Sequence, residues 1–375
     1  MSPVAGTPLR ALLVVSSSRL AGTERHVVEL AAGLRSAGVE AEVVCEAGGE
    51  GLDDVLAGRG VPVHHLRLTD WAAARSVLRL ARLSRRFHLL HAHLTHATAA
   101  SVAAGALARR PVVETFHFLD LAHEGRGSCR RLAGRARRCI IDAGVTRTLG
   151  PSRAVLARVG RKGVLVPHGA RPSSVALRGP DAIGRFVTVG RLAADSRSRG
   201  HELALRGFAT ALPGLPPGAE LTIVGEGTER VRVEALARDL GMGDRVRFTG
   251  RVADVTPELG RAGAYLAPAT EAFGMAALEA MASGLPVVAV ARGGLLDLVD
   301  HERTGLLVEP VPDAVAAALV RLAGDPEATL AMGEAARRRA EEEFSVERMV
   351  RLTMEAYGAA LGHADPSLSE PLGAA

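Results

Sequence analysis

Two hydrophobic patterns alternate along the chain. Short apolar runs, partly β-branched, give way to stretches with apolar positions three and four residues apart. Runs of the first kind at residues 9–16, 39–45, 61–66, 89–92, 112–116, 145–149 and 164–167 predict buried strands. The second pattern predicts helices over residues 24–36, 71–84 and 95–107. Continuously apolar strands alternating with helices are the signature of βαβ units in a parallel sheet covered on both faces.

The pattern breaks at residues 171–184, which are rich in Pro, Ser and Gly and lack periodicity, so this segment reads as a linker. It then restarts. Residues 186–190, 220–225, 245–249, 264–267, 286–290 and 305–308 are strand-like, and 202–212, 230–240, 275–283 and 314–323 are helix-like. Two similar halves predict two Rossmann-like α/β domains, residues 1–170 and 185–344. A last helix, within residues 345–362, is placed to return to the first domain, and residues 363–375 read as a disordered tail.

Composition fits two aliphatic cores. Hydrophobic residues make up 47% of the 375, aromatics only 3%, and charged residues 23%. The formal net charge is +5, carried almost wholly by arginine; Lys162 is the only lysine, and Asn and Gln are absent. That bias reads as GC-rich coding. A mild positive balance suits anionic small ligands and does not of itself call for nucleic acid. Cys45, Cys129 and Cys139 form no C-x-x-C pair, which argues against a disulfide framework or a cysteine zinc site. The N-terminus lacks the pattern of a signal peptide, and no run of about 18 apolar residues occurs, so a cytoplasmic protein is expected.

The most informative segment is Glu271-Ala272-Phe273-Gly274-Met275-Ala276-Ala277-Leu278-Glu279-Ala280-Met281-Ala282-Ser283-Gly284-Leu285-Pro286-Val287-Val288-Ala289. A strand ends, a turn holds Gly274, and an alanine-rich helix begins. A helix start offers unpaired N–H groups and a positive dipole end, which can cradle a diphosphate. Glycine there lets a ligand approach the backbone. Glu279 leans back toward the helix start, where a carboxylate can accept from two vicinal ribose hydroxyls. A bare E-x7-E also describes two solvated carboxylates on a surface helix; the residues around it are what separate the readings.

With Phe273-Gly274 after the first glutamate and E-A-M-A-x-G-x-P-V-V-A after the second, the segment resembles the retaining GT-B glycosyltransferases of family 4, the glycosyl transferases group 1 type. The resemblance implies two Rossmann-like domains facing a central cleft. It places Glu271 beside the donor sugar, Glu279 on the ribose, and Gly274 and Met275 on the diphosphate, with Phe273 between them. Val189-Gly190-Arg191-Leu192 resembles the family's G-R-L, so Arg191 falls on the diphosphate. The loop that follows is longer than usual, and Arg199-Gly200 stands where Lys-Gly is expected; Arg197 competes for the same role. Gly225 matches a glycine turn after the next strand, and Arg251 and Val252 match the segment whose backbone reads the base. Gly293-Gly294 with Asp297 resembles a further glycine turn.

In the first half, Gly22 opens a helix in the loop where the family has Gly-Gly, a potential anion site. His117, ending Glu114-Thr115-Phe116-His117, matches the histidine that faces the donor sugar, with His93 a weaker candidate. His168 stands where the family has Asn. His88, His96 and His123 lie nearby in sequence, but the set shares no i, i+4 pair on one helix, so no metal site is expected.

The resemblance therefore implies sugar transfer from a nucleotide-diphosphate donor, a UDP-sugar ahead of a GDP-sugar. The acceptor is a hydroxyl, with a small natural product favoured, and no resident cofactor or metal is needed. Glu271 and His117 would act at the sugar. The basic stretch Arg126 to Arg147 is a candidate contact for an acidic lipid surface, or a solvated face coloured by codon bias. Three other readings remain open: another GT-B enzyme, such as a nucleotide-sugar epimerase or a phosphorylase; a polysaccharide- or lipid-directed glycosyltransferase at the membrane surface; and a binding protein with a decayed site. A Rossmann dehydrogenase is disfavoured, since no G-x-G-x-x-G follows the first strand.

Overall fold

The computed structural model describes residues 8–17, 22–46, 51–68, 73–119, 141–159, 163–175, 179–193 and 198–362. Most of the basic stretch that starts at Arg126, along with Cys129, Cys139, His123, Arg197 and residues 363–375, lies outside them. The chain forms two units, Met1–Gly169 with Val346–Ala375, and Ala170–Ser345.

The first unit holds a seven-stranded parallel sheet in the order β3-β2-β1-β4-β5-β6-β7. Its strands are β1 (Arg10–Val15), β2 (Glu40–Cys45), β3 (Val63–His65), β4 (Leu89–His93), β5 (Val112–Thr115), β6 (Arg147–Gly150) and β7 (Gly163–Leu165). β1 pairs with β2 from Arg10↔Glu40 to Val14↔Val44, and with β4 from Ala11↔Leu89 to Val15↔His93. Alternate residues of β1 serve opposite faces. Ala11, Leu13 and Val15 join the core under the helix Gly22–Ser36. Leu12 and Val14 join the core under the helices Ala73–Ser84 and Thr95–Ala108. Both faces are covered, which is why β1 reads as one unbroken apolar run.

The helix Val346–Ala360 belongs to this first unit. Val346, Met349, Val350 and Tyr357 are buried in the same core as Leu13. Gly33 makes the approach possible: a Cβ there would lie 2.6 Å from Val350 Cγ2. The Tyr357 hydroxyl lies 2.7 Å from Nδ1 of buried His91, whose Nε2 lies 2.7 Å from Thr115 Oγ1. Tyr357→Phe removes one partner and leaves a buried ring nitrogen unpaired. We expect a loss of roughly 1–3 kcal/mol, read as a lower denaturant midpoint; an unchanged midpoint would show that this bond contributes nothing.

The second unit has a six-stranded parallel sheet in the order β10-β9-β8-β11-β12-β13. The strands are β8 (Arg185–Val189), β9 (Glu220–Val224), β10 (Val246–Gly250), β11 (Ala264–Ala267), β12 (Val287–Val290) and β13 (Gly305–Val308). In chain order both sheets run 3-2-1-4-5-6, the doubly wound Rossmann arrangement. Two such domains are the architecture of the GT-B type.

Two expectations need correction, and one helix is new. The strand expected at 145–149 forms at Arg147–Gly150; Val145 precedes it, its N–H donating to Ile141 in a helical turn. Residues 171–175, expected as linker, are tied to the second unit. Arg337 Nη2 donates to the Val175 carbonyl, and Ser173 Oγ lies 3.1 Å from Ser283 Oγ. The eighteen-residue helix Pro326–Glu343 was not expected at all. Its start is signalled by Asp325, whose side chain accepts from the Ala328 N–H, and by Pro326 in the first turn.

Candidate functional site

In the second sheet the strand order reverses at β8, between β9 and β11. Ligands of open α/β sheets bind outside the carboxyl ends of the strands at such a point. Gly190-Arg191 follows β8, and the segment leading to Glu271 follows β11. Glycines let the strand ends close on one another. Gly225, with φ +149°, sits so that a Cβ would lie 1.9 Å from the Gly190 carbonyl oxygen. The Gly190 N–H donates to the Val224 carbonyl at 3.0 Å and the Gly225 N–H to the Gly250 carbonyl at 3.0 Å. A Cβ on Gly227 would fall 2.0 Å from the Leu192 carbonyl oxygen. The loops after β8, β9 and β10 are thus held together by their backbones.

The Glu271 segment is fixed in the same way. Gly294 N–H donates to the Glu271 carbonyl at 2.8 Å, and a Cβ on Gly294 would meet the Ala272 carbonyl oxygen at 2.2 Å. A Cβ on Gly200, in the helix Ser198–Ala211, would lie 2.8 Å from Ala269 Cβ, so that helix start abuts the approach to Glu271. Beyond Glu271, Phe273 is buried, its ring centre 5.8 Å from that of Phe344. The helix Met275–Ala282 then begins at Gly274, which has φ +105° and supplies no side-chain cap. Its first N–H groups have no partner within the helix, which is the condition for an anion cradle.

Tyr265 is a buried residue of β11. Its hydroxyl donates to the Val189 carbonyl at 3.3 Å, at the end of β8. Burial pushes its ionisation far above the ordinary tyrosine range, and the charges of Glu271 and then Glu279 push it further. Both half-buried glutamates therefore act on one hydroxyl beneath the switch point. Tyr265 was missed by sequence reasoning because it reads as one more apolar strand position.

The other residues singled out in the sequence distribute plainly. Arg191 is exposed just after β8; Arg251 is exposed and Val252 half-buried after β10; Met275 is half-buried in the first turn of its helix. Arg199 falls in the first turn of the helix Ser198–Ala211. Gly22 opens the helix Gly22–Ser36 and is exposed. His117 belongs to the first unit.

The carboxyl edge of the first sheet carries a histidine cluster. His93 ends β4, His117 follows β5, His168 follows β7, and His26 sits on the helix after β1. His93 Nδ1 lies 3.2 Å from His117 Nε2. The His26 ring centre is 5.4 Å from that of His93, 5.2 Å from His117 and 4.1 Å from His168. Burial holds His91 and His117 down to about 3. Burial, then the neighbouring histidines, holds His26, His93 and His168 well below the ordinary range. His26, His93 and His117 come from three different elements, and one ring nitrogen of each lies within 4.8 Å of the others. His88 is elsewhere, its Nδ1 accepting from the Arg10 N–H at the opposite edge of the sheet.

Comparison with known proteins places this geometry. The family model for a glycosyl transferase 4-like domain matches residues 21–169, and that for glycosyl transferases group 1 matches residues 184–325. One match falls in each unit, and the fold is of the GT-B type. Over 175 residues it is 34% identical to an exopolysaccharide phosphotransferase of Streptomyces coelicolor, covering 46% of this chain and 18% of that protein. Over 162 residues it is 40% identical to the D-inositol 3-phosphate glycosyltransferase of Salinispora arenicola, covering 40% of this chain and 36% of that protein. The chain thus spans well under half the length of either curated relative. Its fold is similar to that of HepE of Anabaena in complex with UDP and glucose, with a TM-score of 0.79 and 22% identity, covering 94% of this chain and 100% of that one.

Proposed function

We propose that the chain transfers a sugar from a nucleoside-diphosphate sugar, a UDP-sugar ahead of a GDP-sugar, to an acceptor hydroxyl with retention at the anomeric carbon. One observation carries the reading. Glu271 precedes, and Glu279 lies on, the helix that starts uncapped at Gly274, after the strand β11 that flanks β8 at the switch point of the second sheet. Glu279 would hold the ribose, and the N–H groups after Gly274 the diphosphate. Arg191 and Arg199 would stabilise the charge on the departing diphosphate, the main electrostatic need of the reaction, so no step runs through a metal. Arg251 and Val252 would face the base. Glu271 and His117 would orient the sugar. The bond from the anomeric carbon to the diphosphate breaks as the acceptor oxygen bonds on the same face, and the acceptor proton passes to a leaving phosphate oxygen. The Salinispora relative is named for a small-molecule acceptor, which supports a small acceptor here.

A thermal-shift screen of the full chain against UDP-, GDP- and ADP-sugars tests this. A donor at one hundred times its Kd should stabilise the fold by about 2.7 kcal/mol, and Glu279→Ala should abolish the shift at the same concentration. If no nucleotide sugar raises the melting temperature, the donor reading fails. Proton NMR of the product reads the anomeric configuration; an inverted product would sink retention alone.

A further inference from the structure

We propose that His26, His93 and His117 bind one divalent first-row transition-metal ion, of the zinc class, at the carboxyl edge of the first unit's sheet. One ligand atom from each residue lies within 4.8 Å of the others. His93 Nδ1 and His117 Nε2 stand 3.2 Å apart. Two imidazole nitrogens on a tetrahedral zinc ion, each at 2.0–2.1 Å, stand about 3.3–3.4 Å apart. The 3.2 Å separation, which also suits a hydrogen bond between the two rings, is within about 0.2 Å of that of a ligand pair.

The second line of support is the state of His26. It is buried, and among the described residues neither ring nitrogen has a hydrogen-bond partner. His91, equally buried and in ring contact with His93, shows the alternative, with both nitrogens satisfied at 2.7 Å by Tyr357 and Thr115. Buried polar groups are paired as a rule, and an exception calls for an unseen partner. A cation supplies one to an imidazole that points into a cluster of imidazoles.

The chemistry narrows the partner. Imidazole nitrogens ligate a metal in their neutral form, which is the wrong form for holding an anion. A set of three nitrogens without carboxylate selects zinc, cobalt, nickel or copper over magnesium or calcium. Three protein ligands leave a fourth position for water or another oxygen ligand. The residues come from the helix Gly22–Ser36, the end of β4 and the segment after β5, so an ion would tie three elements together at the first sheet's own switch point. The site lies within the first unit and shares His117 with the proposed sugar site; its test uses His26 and His93, which carry no donor assignment, so the two readings fail separately.

The experiment uses the full chain without a polyhistidine tag, loaded with Zn2+ or Co2+ and dialysed against metal-free buffer. Elemental analysis should give one ion per chain. The Co2+ form should show the strong visible d–d bands of a tetrahedral nitrogen-ligated ion, a readout that needs no variant. His26→Gln and His93→Gln should each lose at least nine-tenths of the bound metal. His65→Ala, in the other possible ligand group Cys45, Asp53 and His65, should keep it. Wild-type protein that retains no ion and shows no d–d bands overturns the proposal. So do folded His26→Gln and His93→Gln variants that bind as wild type, or loss of the ion on His65→Ala.

Discussion

Glu271→Ala is expected to lower kcat for glycosyl transfer by about 100–1,000-fold, the range for removing one preorganised polar group from a site of developing charge. UDP affinity, measured by calorimetry, should stay near wild type. The two expectations separate because the backbone and side chain of Glu271 have different tasks. Its carbonyl accepts from the Gly294 N–H at 2.8 Å, and it forms an isolated bridge with Gly293. The turn into the helix Met275–Ala282 is thus held by main chain and outlasts the substitution. The ribose and diphosphate contacts we assign to Glu279, Arg191 and the helix start are untouched. Only the interaction with the sugar is removed, so the loss should appear in the transition state and not in nucleotide binding. Near-native turnover would sink the assignment of Glu271. Equal loss of UDP affinity and turnover would instead make it a binding residue.

The sheets were legible because strands buried on both faces are unbroken apolar runs, as Ala11–Val15 is. The segment from Glu271 to Glu279 was legible because it is contiguous: strand end, glycine turn and helix lie within a few residues. What escaped was of two kinds. The helix Pro326–Glu343 buries Thr329, Met332, Gly333, Ala336 and Ala340, mostly small residues, so its apolar stripe is too weak for periodicity to detect. A Cβ on Gly333 would lie 2.3 Å from the Gly284 carbonyl oxygen, so the packing is of backbone on backbone. The histidine cluster escaped for a different reason. His26, His93, His117 and His168 lie on four elements whose only common property is the end of the sheet they reach, and no spacing in one dimension encodes that. A signal existed in His26 itself, a polar side chain that shares the buried face of its helix with Glu24, Val27, Leu30 and Leu34.

The second large effect is structural and tests how the switch point is built. Gly225→Ala should lower the stability of the second unit by roughly 3 kcal/mol, the sum of a strained backbone conformation and an overpacked contact. At about 2–4 °C per kcal/mol for a domain of this size, the melting temperature should fall by about 6–12 °C. The two causes can be separated. Gly218 also has positive φ, at +90°, but a Cβ there meets nothing within 4 Å. Gly218→Ala therefore carries backbone strain alone, about 1–2 kcal/mol. At Gly225 the added methyl would sit 1.9 Å from the Gly190 carbonyl oxygen, a backbone atom with no flexible end to yield. Relief requires β8 and β9 to part at their carboxyl ends, against the bond from the Gly190 N–H to the Val224 carbonyl. That motion carries the neighbouring Arg191 with it. Gly225→Ala should therefore also weaken UDP binding at temperatures where the domain is still folded, whereas Gly218→Ala should leave it intact. If both variants melt alike and bind UDP alike, the close approach of the strand ends does not position the site. The arginine would then have to be held by the loop that follows it.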